Sequence, residues 1–557
     1  MKSLQTADYI VFLFYFVIVA SYGYWVYRRK KKVSITASHD YFLAEGSLTW
    51  WAIGASLIAS NISAEQFIGM SGNGFKMGLA ISTYEWMAAA TLMIVAIFFI
   101  PVYLRNKIYT MPQFLSQRYN GTVAMIMAVF WLLLYVIVNL TSILYLGALA
   151  ISSISGINLL VCMILLAVFA LIITLGGMKV IGYTDVIQVF FLIVGGLATT
   201  YLALTLVSEK FGTTGALNGL KLLTDKGADH FHMIFKKDNP NYMSLPGLTV
   251  LIGGMWIVNL NYWGCNQYIT QRALGADLKT ARSGILFAAF LKLLMPVIVV
   301  LPGIAAYVLY REGSFHTDMM ANGEIVQDKA YPVMMNLLGP GLKGLAFAAL
   351  TAAIVASLAG KANSIATIFT LDIYKKKINA EASEKKMVGI GKIVVVLALI
   401  LAVVIAPFLG IDKKGGFEFI QEYTGFVSPG IFAMFILGFF WKKTTSAAAL
   451  FATIGGFAFS ILLKFLPLWT NLSFMSPLGF SVQNDKGVYE IPFMDRMGFV
   501  FVLCVLGMVI ISLVQNRRGA QPKGLVVERS MFGLSPAFTV GVLIICGILA
   551  ALYTIFW

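Results

Sequence analysis

Long apolar stretches, separated by short polar segments, follow one another along the whole chain. Fourteen of them cover residues 9–27, 47–72, 78–104, 123–153, 157–175, 184–207, 245–269, 284–310, 331–374, 388–409, 419–440, 446–466, 493–514 and 536–557. A helix needs roughly 20 apolar residues to cross a bilayer. The pattern therefore predicts an all-α integral membrane protein with about 14 transmembrane helices. Residues 331–374 exceed one crossing, so we expect the first part of that stretch to lie outside the membrane.

Two of the stretches are interrupted by polar residues. The stretch at residues 47–72 contains Asn61, Ser63, Glu65 and Gln66, and we call it the first interrupted stretch. The stretch at residues 245–269 contains Asn259, Asn261 and Gln267, and we call it the second interrupted stretch. The bilayer core offers no hydrogen-bond partners, so such residues persist only where protein buries them or where they line a wet cavity. Two interrupted helices in corresponding halves are typical of secondary transporters built from inverted repeats, whose substrates bind near the bilayer midplane. We therefore expect a discontinuous helix in each stretch, with a binding site beside them.

Composition supports a membrane protein and explains the high positive charge. The chain has 557 residues, of which 59% are hydrophobic and 12% charged, and its mean hydropathy is +0.84. The net charge of +16 comes largely from short basic clusters at residues 28–32, 105–107, 272–282, 375–377, 442–443 and 517–518. With 14 helices these clusters fall on one face, which the positive-inside rule identifies as cytoplasmic. The charge therefore needs no nucleic-acid partner, and both chain termini are expected outside.

The residue types that carry most enzymatic and metal chemistry are few and scattered. All four cysteines lie inside apolar stretches without paired spacing, and all four histidines lie in connecting segments. No nucleophile with its base, and no cluster of metal ligands, stands at the spacing that such chemistry would need. The sequence therefore predicts a protein that is not an enzyme and that has no cofactor.

Polar residues stranded inside the apolar stretches indicate what the site would bind. They are Asn61, Gln66, Glu85, Asn139, Asp185, Asn259, Asn261, Lys292, Ser357, Lys361 and Gln421. A charge at mid-bilayer costs about 3 kcal/mol, so we expect each to face the protein interior beside a partner. Amides donate and accept, Glu85 accepts and Lys292 donates, which together suit a neutral ligand rich in hydroxyls. In the alternative, structural interpretation, the amides join helices and Glu85 pairs with Lys292.

Several long motifs carry a resemblance to a known family. They are DYFLAEGSLTWWAIG at residues 40–54, ASLIASNISAEQFIGMSG at 55–72, VNLTSILYLG at 138–147, YWGCNQYITQR at 262–272, NSIATIFTLDIY at 363–374 and IQEYTGFVSPG at 420–430. The chain resembles the sodium/solute symporter family, and within it most of all the bacterial sodium/glucose (galactose) cotransporters. The resemblance implies the LeuT-like fold, a five-plus-five inverted repeat with one helix before it and three helices after it.

By this resemblance the chain divides into four parts. An N-terminal extra helix and a basic cytoplasmic loop cover residues 1–46, and the first repeat with the extracellular loop after it covers residues 47–244. The second repeat covers residues 245–445, and three C-terminal extra helices cover residues 446–557. A protein of this kind is expected in the bacterial inner membrane as a multi-pass protein.

The resemblance also assigns roles in the binding site. The residues that match the family's sugar-binding positions are Asn61, Gln66, Glu85, Asn259, Lys292, Gln421 and Tyr262. Tyr262 matches the aromatic residue that stacks on the sugar ring as the inner gate. The residues that match the outer gate are Met70, Tyr84 and Phe417. For Tyr135, a gate role and a packing role both stay open.

A sodium site is implied beside the first interrupted helix. Its ligands would be the carbonyl oxygens of Ala59, Ile62 and Ala353 and the hydroxyl of Ser357. A hard cation prefers oxygen ligands of this kind, and discontinuous helices supply free carbonyls. Asp185 matches a carboxylate that lies near the sodium path in the family.

The chain departs from the family pattern at three of these positions. Ala88 stands where the galactose carriers have a serine that reaches the sugar, and Ala356 stands where the sodium site has a second serine. Lys361 stands where the family residue is apolar, four residues after Ser357 on the same face of the helix. The first departure puts the sugar preference in question, and the other two concern the coupling ion.

The sequence therefore predicts sodium-coupled symport of a neutral monosaccharide, galactose-like or glucose-like, by alternating access. Its partners are the monosaccharide, the co-transported Na+ and the lipid bilayer. Two alternatives keep the same fold. In one, Lys361 paired with Asp185 replaces the bound cation, which would make a sodium-independent or proton-linked carrier. In the other, the protein is a sugar sensor that does not transport.

Overall fold

The computed structural model describes residues 5–28, 48–175, 178–321, 323–408, 416–484 and 486–557. Within these ranges the chain is mainly helical, with two short antiparallel hairpins. The basic residues 29–32, residues 40–47 of the first motif and the predicted boundary after residue 46 lie outside the described residues.

The α-helices of the first half range in length from 6 to 33 residues. The α-helices are Thr6–Arg28, Trp50–Asn61, Ser71–Met77, Thr83–Ile94, Ile100–Arg105, Met111–Arg118, Gly121–Leu133, Thr141–Ser155, Leu159–Thr174, Met178–Lys210 and Ala216–Lys226. π-Helical segments are Glu65–Met70, Val95–Phe99 and Leu134–Leu140, and 3₁₀ segments are Gly78–Ser82 and Ala228–His230.

The second half continues in the same way. Its α-helices are Thr249–Ile252, Gly254–Cys265, Gln267–Leu274, Leu278–Arg311, His316–Met319, Ala330–Asn336, Leu342–Thr367, Glu384–Ile405, Gly416–Gly425, Ser428–Phe440, Ser446–Leu450, Gly456–Phe465, Phe493–Arg517 and Pro536–Ile555. π-Helical segments are Ile368–Ile378 and Phe451–Gly455, and 3₁₀ segments are Gln327–Lys329, Ala406–Phe408, Leu466–Leu468, Ser473–Leu478 and Arg529–Phe532. The hairpins pair Met320–Ala321 with Glu324–Ile325 and Val482–Gln483 with Tyr489–Glu490.

Fewer uninterrupted spans are present than the hydrophobic pattern predicts. Among the described residues ten helices are long and apolar enough to cross a membrane, or eleven if the bent pair around residues 426–427 is one span. The predicted stretch 331–374 is divided, since Ala330–Asn336 is separate from Leu342–Thr367. A mainly helical membrane protein is thus confirmed, whereas the count of fourteen stays a prediction, because breaks divide four of the predicted spans.

The first interrupted stretch forms a broken helix. Trp50–Asn61 ends at Asn61, Ile62 is extended with φ −81° and ψ 116°, and the segment Glu65–Met70 resumes the helix. We call these two segments the first broken helix. Every residue from 52 to 75 is buried. The break is therefore enclosed by protein and does not face lipid, as the polar residues predict.

The second interrupted stretch also breaks, but not where its amides suggest. Asn259 and Asn261 lie within the continuous helix Gly254–Cys265, and the break falls at Asn266, which is extended with φ −106° and ψ 123°. Gln267–Leu274 follows directly. We call Gly254–Cys265 and Gln267–Leu274 the second broken helix. In this stretch, therefore, Asn259 and Asn261 lie inside a helix and a different residue, Asn266, forms the break.

Two long helices enclose the first broken helix. Leu278–Arg311 packs along Trp50–Asn61 and along Ser71–Met77, and Leu342–Thr367 packs against Trp50–Asn61 as well. Every residue from 346 to 368 is buried. At the N-terminus of Leu342–Thr367 the Asp8 carboxylate accepts hydrogen bonds from the N–H groups of Gly341 and Gly344, both at 2.8 Å. The helix before the predicted repeats therefore fixes the end of a central helix.

Close packing of Leu278–Arg311 on Ser71–Met77 depends on glycine. A Cβ atom at Gly303 would meet the Ser71 carbonyl oxygen far inside van der Waals contact, whereas a Cβ atom at Gly498 would meet nothing within 4 Å. We expect Gly303→Ala to lower the stability by roughly 1–3 kcal/mol, because two backbones must separate. Thermal unfolding of purified protein in detergent measures the effect, with Gly498→Ala as the matched control. Equal unfolding temperatures for the two variants would contradict this packing argument.

Candidate functional site

A small polar cavity of about 40 Å³ lies beside the break of the first broken helix. It is lined by Asn61, Glu65, Gln66, Tyr84, Glu85, Ala88, Val258, Asn259, Tyr262, Trp263, Lys292, Phe417 and Gln421. The structure thus brings together all seven residues that match the family's sugar-binding positions. They come from six separate helical segments between residues 50 and 425, so only the tertiary fold collects them.

Hydrogen bonds join four of the lining residues in a row. The buried Lys292 ammonium lies 2.5 Å from Glu85 Oε2 and also donates to Asn61 Oδ1. The Asn61 amide nitrogen donates to the Tyr262 hydroxyl at 2.9 Å. Lys292 also lies over the Trp263 ring, 5.3 Å from its centroid. The predicted pairing of Glu85 with Lys292 is therefore present, and it occurs at the cavity wall.

The other three amides, Gln66, Asn259 and Gln421, line the cavity, and two of them also make hydrogen bonds to the backbone. Gln66 Oε1 accepts from the Ser63 N–H at 3.0 Å, which stabilises the backbone opened at the break. The Asn259 amide donates to the Met255 carbonyl of its own helix at 3.2 Å. Gln421 is half-buried on the helix Gly416–Gly425. A contact that supports a helix therefore does not remove these residues from the cavity wall.

In this conformation the polar groups fill the site by binding one another. Ligand pockets are typically about 300–1,000 Å³. A cavity of about 40 Å³ is far below that range. A ligand the size of a monosaccharide therefore enters only if the row from Glu85 to Tyr262 opens and exchanges its internal hydrogen bonds for bonds to the ligand.

Aromatic side chains close one side of the cavity. The Tyr84 and Phe417 rings meet edge to face with centroids 4.8 Å apart, and both residues are buried. A Cβ atom at Gly69 would overlap the backbone and Cβ of Phe417, so the π-helical turn packs directly against the chain at Phe417. Met70 is buried in the same turn but is not among the lining residues. The structure thus joins two of the three residues predicted for the outer gate.

Tyrosines link the cavity to the second broken helix. The Tyr268 hydroxyl donates to the Tyr262 hydroxyl, and the Tyr135 hydroxyl donates to Asn266 Oδ1 at the second break. The rings of Tyr135 and Tyr268 meet edge to face with centroids 5.6 Å apart. Tyr135 therefore contacts the second break, and it does not pack against the ring of Tyr84 or Phe417.

The residues predicted for sodium lie at the contact between the first broken helix and Leu342–Thr367. All four, Ala59, Ile62, Ala353 and Ser357, are buried. The Ser357 hydroxyl donates to the Ser60 carbonyl at 3.1 Å, which holds the two helices together next to the break. The only side-chain oxygen of the predicted set therefore reaches the carbonyl end of the broken helix.

The predicted pairing of Lys361 with Asp185 is wrong. Lys361 Nζ lies 3.5 Å from Glu65 Oε1. Asp185 instead accepts from the Ser56 hydroxyl at 2.6 Å and lies 4.0 Å from the Arg272 guanidinium. Spacing along the helix placed Lys361 on the correct face, but only the packing of neighbouring helices decides which carboxylate faces it.

Sequence reasoning missed two residues of this region, Glu65 and Arg272. Glu65 stood in the interrupted stretch without a role, although it is adjacent to Gln66. Arg272 was assigned to a cytoplasmic basic cluster, yet it is 1% exposed and donates to Ser56 Oγ at 2.8 Å and to the Tyr268 carbonyl. Its position at the end of the second interrupted stretch was the available signal, because a cation there needs a buried partner.

Similar proteins are found over the whole chain. A family model described as the sodium:solute symporter family matches residues 41–456. The chain is 47% identical to the sodium/glucose cotransporter of Vibrio parahaemolyticus over 565 residues, which cover 100% of this chain and 99% of that protein. It is 31% identical to the sodium/myo-inositol cotransporter 2 of Homo sapiens, with 92% of this chain and 77% of that protein covered.

A solved structure has a similar arrangement of helices. A Na+-coupled sialic acid symporter, in a substrate-bound outward-open state, superposes with a TM-score of 0.75 at 21% sequence identity. The likeness covers 94% of this chain and 100% of the other. At this identity it shows the fold alone, and the fold is that of a membrane transporter.

The Glu85–Lys292 pair should be energetically coupled. Lys292→Met and Glu85→Gln each leave a buried charge without its partner, a change that typically costs about 3–5 kcal/mol. The double variant removes both charges, so we expect it to unfold at a higher temperature than either single variant. Thermal unfolding in detergent of the wild type and the three variants completes the double-mutant cycle. Additive effects in the double variant would show that the two charges do not interact.

Proposed function

Because the chain belongs to the sodium:solute symporter family, we propose that it carries a neutral monosaccharide into the cell together with Na+. It is a multi-pass membrane transporter and not an enzyme. The observation that carries the proposal is that one cavity collects all seven residues matching the family's sugar-binding positions. The names of the relatives at 47% and 31% identity, which include sodium with glucose or with myo-inositol, agree with this substrate class.

We further propose that the architecture is a pair of inverted repeats, residues 47–244 and 245–445, within 14 membrane spans. Each proposed repeat begins with a broken helix, and each break contains one extended residue, Ile62 in the first and Asn266 in the second. Residues 1–46 would precede the repeats, and residues 446–557 would supply three helices after them. The matching position of the two breaks supports this division.

The proposed sugar site uses the groups of the hydrogen-bonded row. Glu85 accepts, Lys292 donates, and the amides of Asn61, Gln66, Asn259 and Gln421 do both, which matches the alternating hydroxyls of a sugar. The Tyr262 ring would lie against the apolar face of the sugar ring. The ligand is neutral because Glu85 and Lys292 cancel each other's charge at a distance of 2.5 Å.

The proposed sodium site uses the carbonyls of Ala59, Ile62 and Ala353 with the Ser357 hydroxyl. The bond from Ser357 to the Ser60 carbonyl supports this placement, since it brings the hydroxyl to the open end of the broken helix. Sodium there would hold the two helices together and fix the break that shapes the sugar site. The alternative in which Lys361 replaces the cation required Asp185 as its partner, and that pair is absent.

The mechanism we propose is alternating access. Sodium and sugar enter from outside, the Tyr84 and Phe417 rings close over the sugar, and the two structural parts of the fold, the hash and the bundle, rock against each other. Tyr262 then moves aside, which breaks its hydrogen bonds with Asn61 and Tyr268, and the cargo leaves inward. Met70 and Tyr135 would support the outer side and the inner side respectively.

Uptake into proteoliposomes tests the proposed function. One Na+ moving down 100 mV and a tenfold gradient supplies roughly 3.7 kcal/mol, enough to concentrate a sugar several hundredfold. We expect labelled galactose, glucose or myo-inositol to accumulate only with an inward sodium gradient. Gln66→Ala should remove saturable uptake while the protein stays folded. Sugar accumulation that is equal with and without sodium would overturn the proposal.

The position of Ala88 allows a test of the sugar contacts. Ala88 lines the cavity where related galactose carriers have serine. We expect Ala88→Ser to increase galactose affinity by about 2- to 10-fold, the equivalent of one hydrogen bond of roughly 0.5–1.5 kcal/mol. Competition of unlabelled galactose against labelled sugar measures the change. Ala90→Ser, on the same helix but outside the cavity lining, is the control. An equal change in both variants would count against contact at residue 88.

A further inference from the structure

We propose that Glu65 and Lys361 form a charge bridge between the sugar site and the sodium site, and that this bridge sets the affinity for Na+. The inference rests on the proposed sodium-coupled transport and adds a determinant of ion affinity to it. Both residues are buried, at 7% and 3% exposure, and their charged atoms lie 3.5 Å apart. Neither residue belongs to the proposed ligand sets for sugar or sodium.

Glu65 reaches both sites because of its place on the chain. It is the first residue of the π-helical segment after the break, three residues beyond Ile62. Its side chain lines the sugar cavity and also contacts Lys361. A movement of the break therefore moves one end of the bridge, and a ligand in the cavity faces the same carboxylate.

Lys361 brings a positive charge close to the proposed sodium ligands. It lies one helical turn beyond Ser357, about 6 Å along the helix axis. Its ammonium is also held over the Tyr268 ring, 5.0 Å from the centroid. Tyr268 in turn donates to Tyr262 at the sugar cavity. The ammonium is thus fixed by two contacts and cannot leave the region without breaking both.

The charges around the first break are balanced in pairs. Arg272 faces Asp185 at 4.0 Å, and Lys361 faces Glu65 at 3.5 Å. A Cβ atom at Gly360 would meet the Arg272 guanidinium, so Arg272 lies against Leu342–Thr367 at the residue next to Lys361. Sodium entering this region adds one uncompensated positive charge. Its affinity therefore depends on how well Glu65 neutralises Lys361.

The sign of each substitution follows from this balance. Removing the Lys361 charge leaves the Glu65 carboxylate to attract sodium, and removing the Glu65 charge leaves the ammonium to repel it. At an effective dielectric constant of about 20, one charge several ångströms away changes an affinity by roughly tenfold or more. We expect Lys361→Met to lower the half-saturating sodium concentration about tenfold and Glu65→Gln to raise it about tenfold. The double variant should return to within about threefold of the wild type.

Sodium binding can be measured without transport. Purified protein is titrated with NaCl at constant ionic strength, with choline chloride as the replacement salt, and the rise in unfolding temperature gives the affinity. Lys376→Met is the matched control, since Lys376 pairs with Asp372 at 2.6 Å and its side chain is 46% exposed. Opposite shifts in the two single variants, with compensation in the double variant, support the bridge. Shifts in the same direction, or none, overturn it.

A fourth variant keeps the test decisive if a neutral single variant does not fold. Lys361→His carries a charge well below pH 6.5 and loses it well above that pH. We expect its half-saturating sodium concentration to fall as pH rises from 6 to 8.5, beyond any change in the wild type, which carries the same Glu65, Asp185 and Arg272. A pH profile identical to that of the wild type overturns the bridge.

The same measurements separate this inference from the proposed function. Wild-type protein that shows no sodium-dependent stabilisation and no sodium-dependent sugar uptake contradicts sodium-coupled transport itself. Sodium-dependent wild-type protein with unshifted variants contradicts the bridge alone.

Discussion

The structure depends on an opened helix that the protein encloses completely. Between Asn61 and Glu65 the backbone leaves its helical hydrogen bonds, and a bilayer would offer those groups no replacement. The fold meets this constraint by burying every residue from 52 to 75 among neighbouring helices, which include Leu278–Arg311, Met178–Lys210 and Leu342–Thr367. Side chains of the break itself, such as Ser63 and Gln66, supply some of the missing partners. A polar site inside the membrane is the consequence of this arrangement.

The same constraint explains why the site is small and saturated. Buried ionisable groups need partners, so Lys292 binds Glu85 and Asn61, and Asn61 binds Tyr262. A polar ligand that opens the row could satisfy the same groups, whereas an apolar ligand would leave them without hydrogen bonds. Selectivity for a hydroxyl-rich solute can thus arise from the cost of opening the row. The Tyr84 and Phe417 rings, which meet edge to face at 4.8 Å, close one side of this row.

Coupling between two cargoes requires that both act on one element. The first broken helix presents the Ser60 carbonyl to Leu342–Thr367 and the amide side chains of Asn61 and Gln66 to the cavity. A movement of the break therefore displaces groups at both places. Glu65 belongs to both environments through its place in the cavity lining and its contact with Lys361. The extra helix Thr6–Arg28 contributes from outside, since Asp8 fixes the end of Leu342–Thr367. The contacts of Glu65 and of Asp8 can each be tested by substituting the side chain that makes them.

The sequence by itself determined the membrane class, the existence of the first break and most of the cavity residues, because apolar length and stranded polar groups obey local physical limits. It also offered the pairing of Glu85 with Lys292 as a structural alternative, since each needs a counter-charge. It could not locate the second break at Asn266, because the nearby amides Asn259 and Asn261 fit a continuous helix. Nor could it choose between Glu65 and Asp185 for Lys361. Helical periodicity places a side chain on a face, but only the tertiary packing of separate helices decides which residue stands opposite.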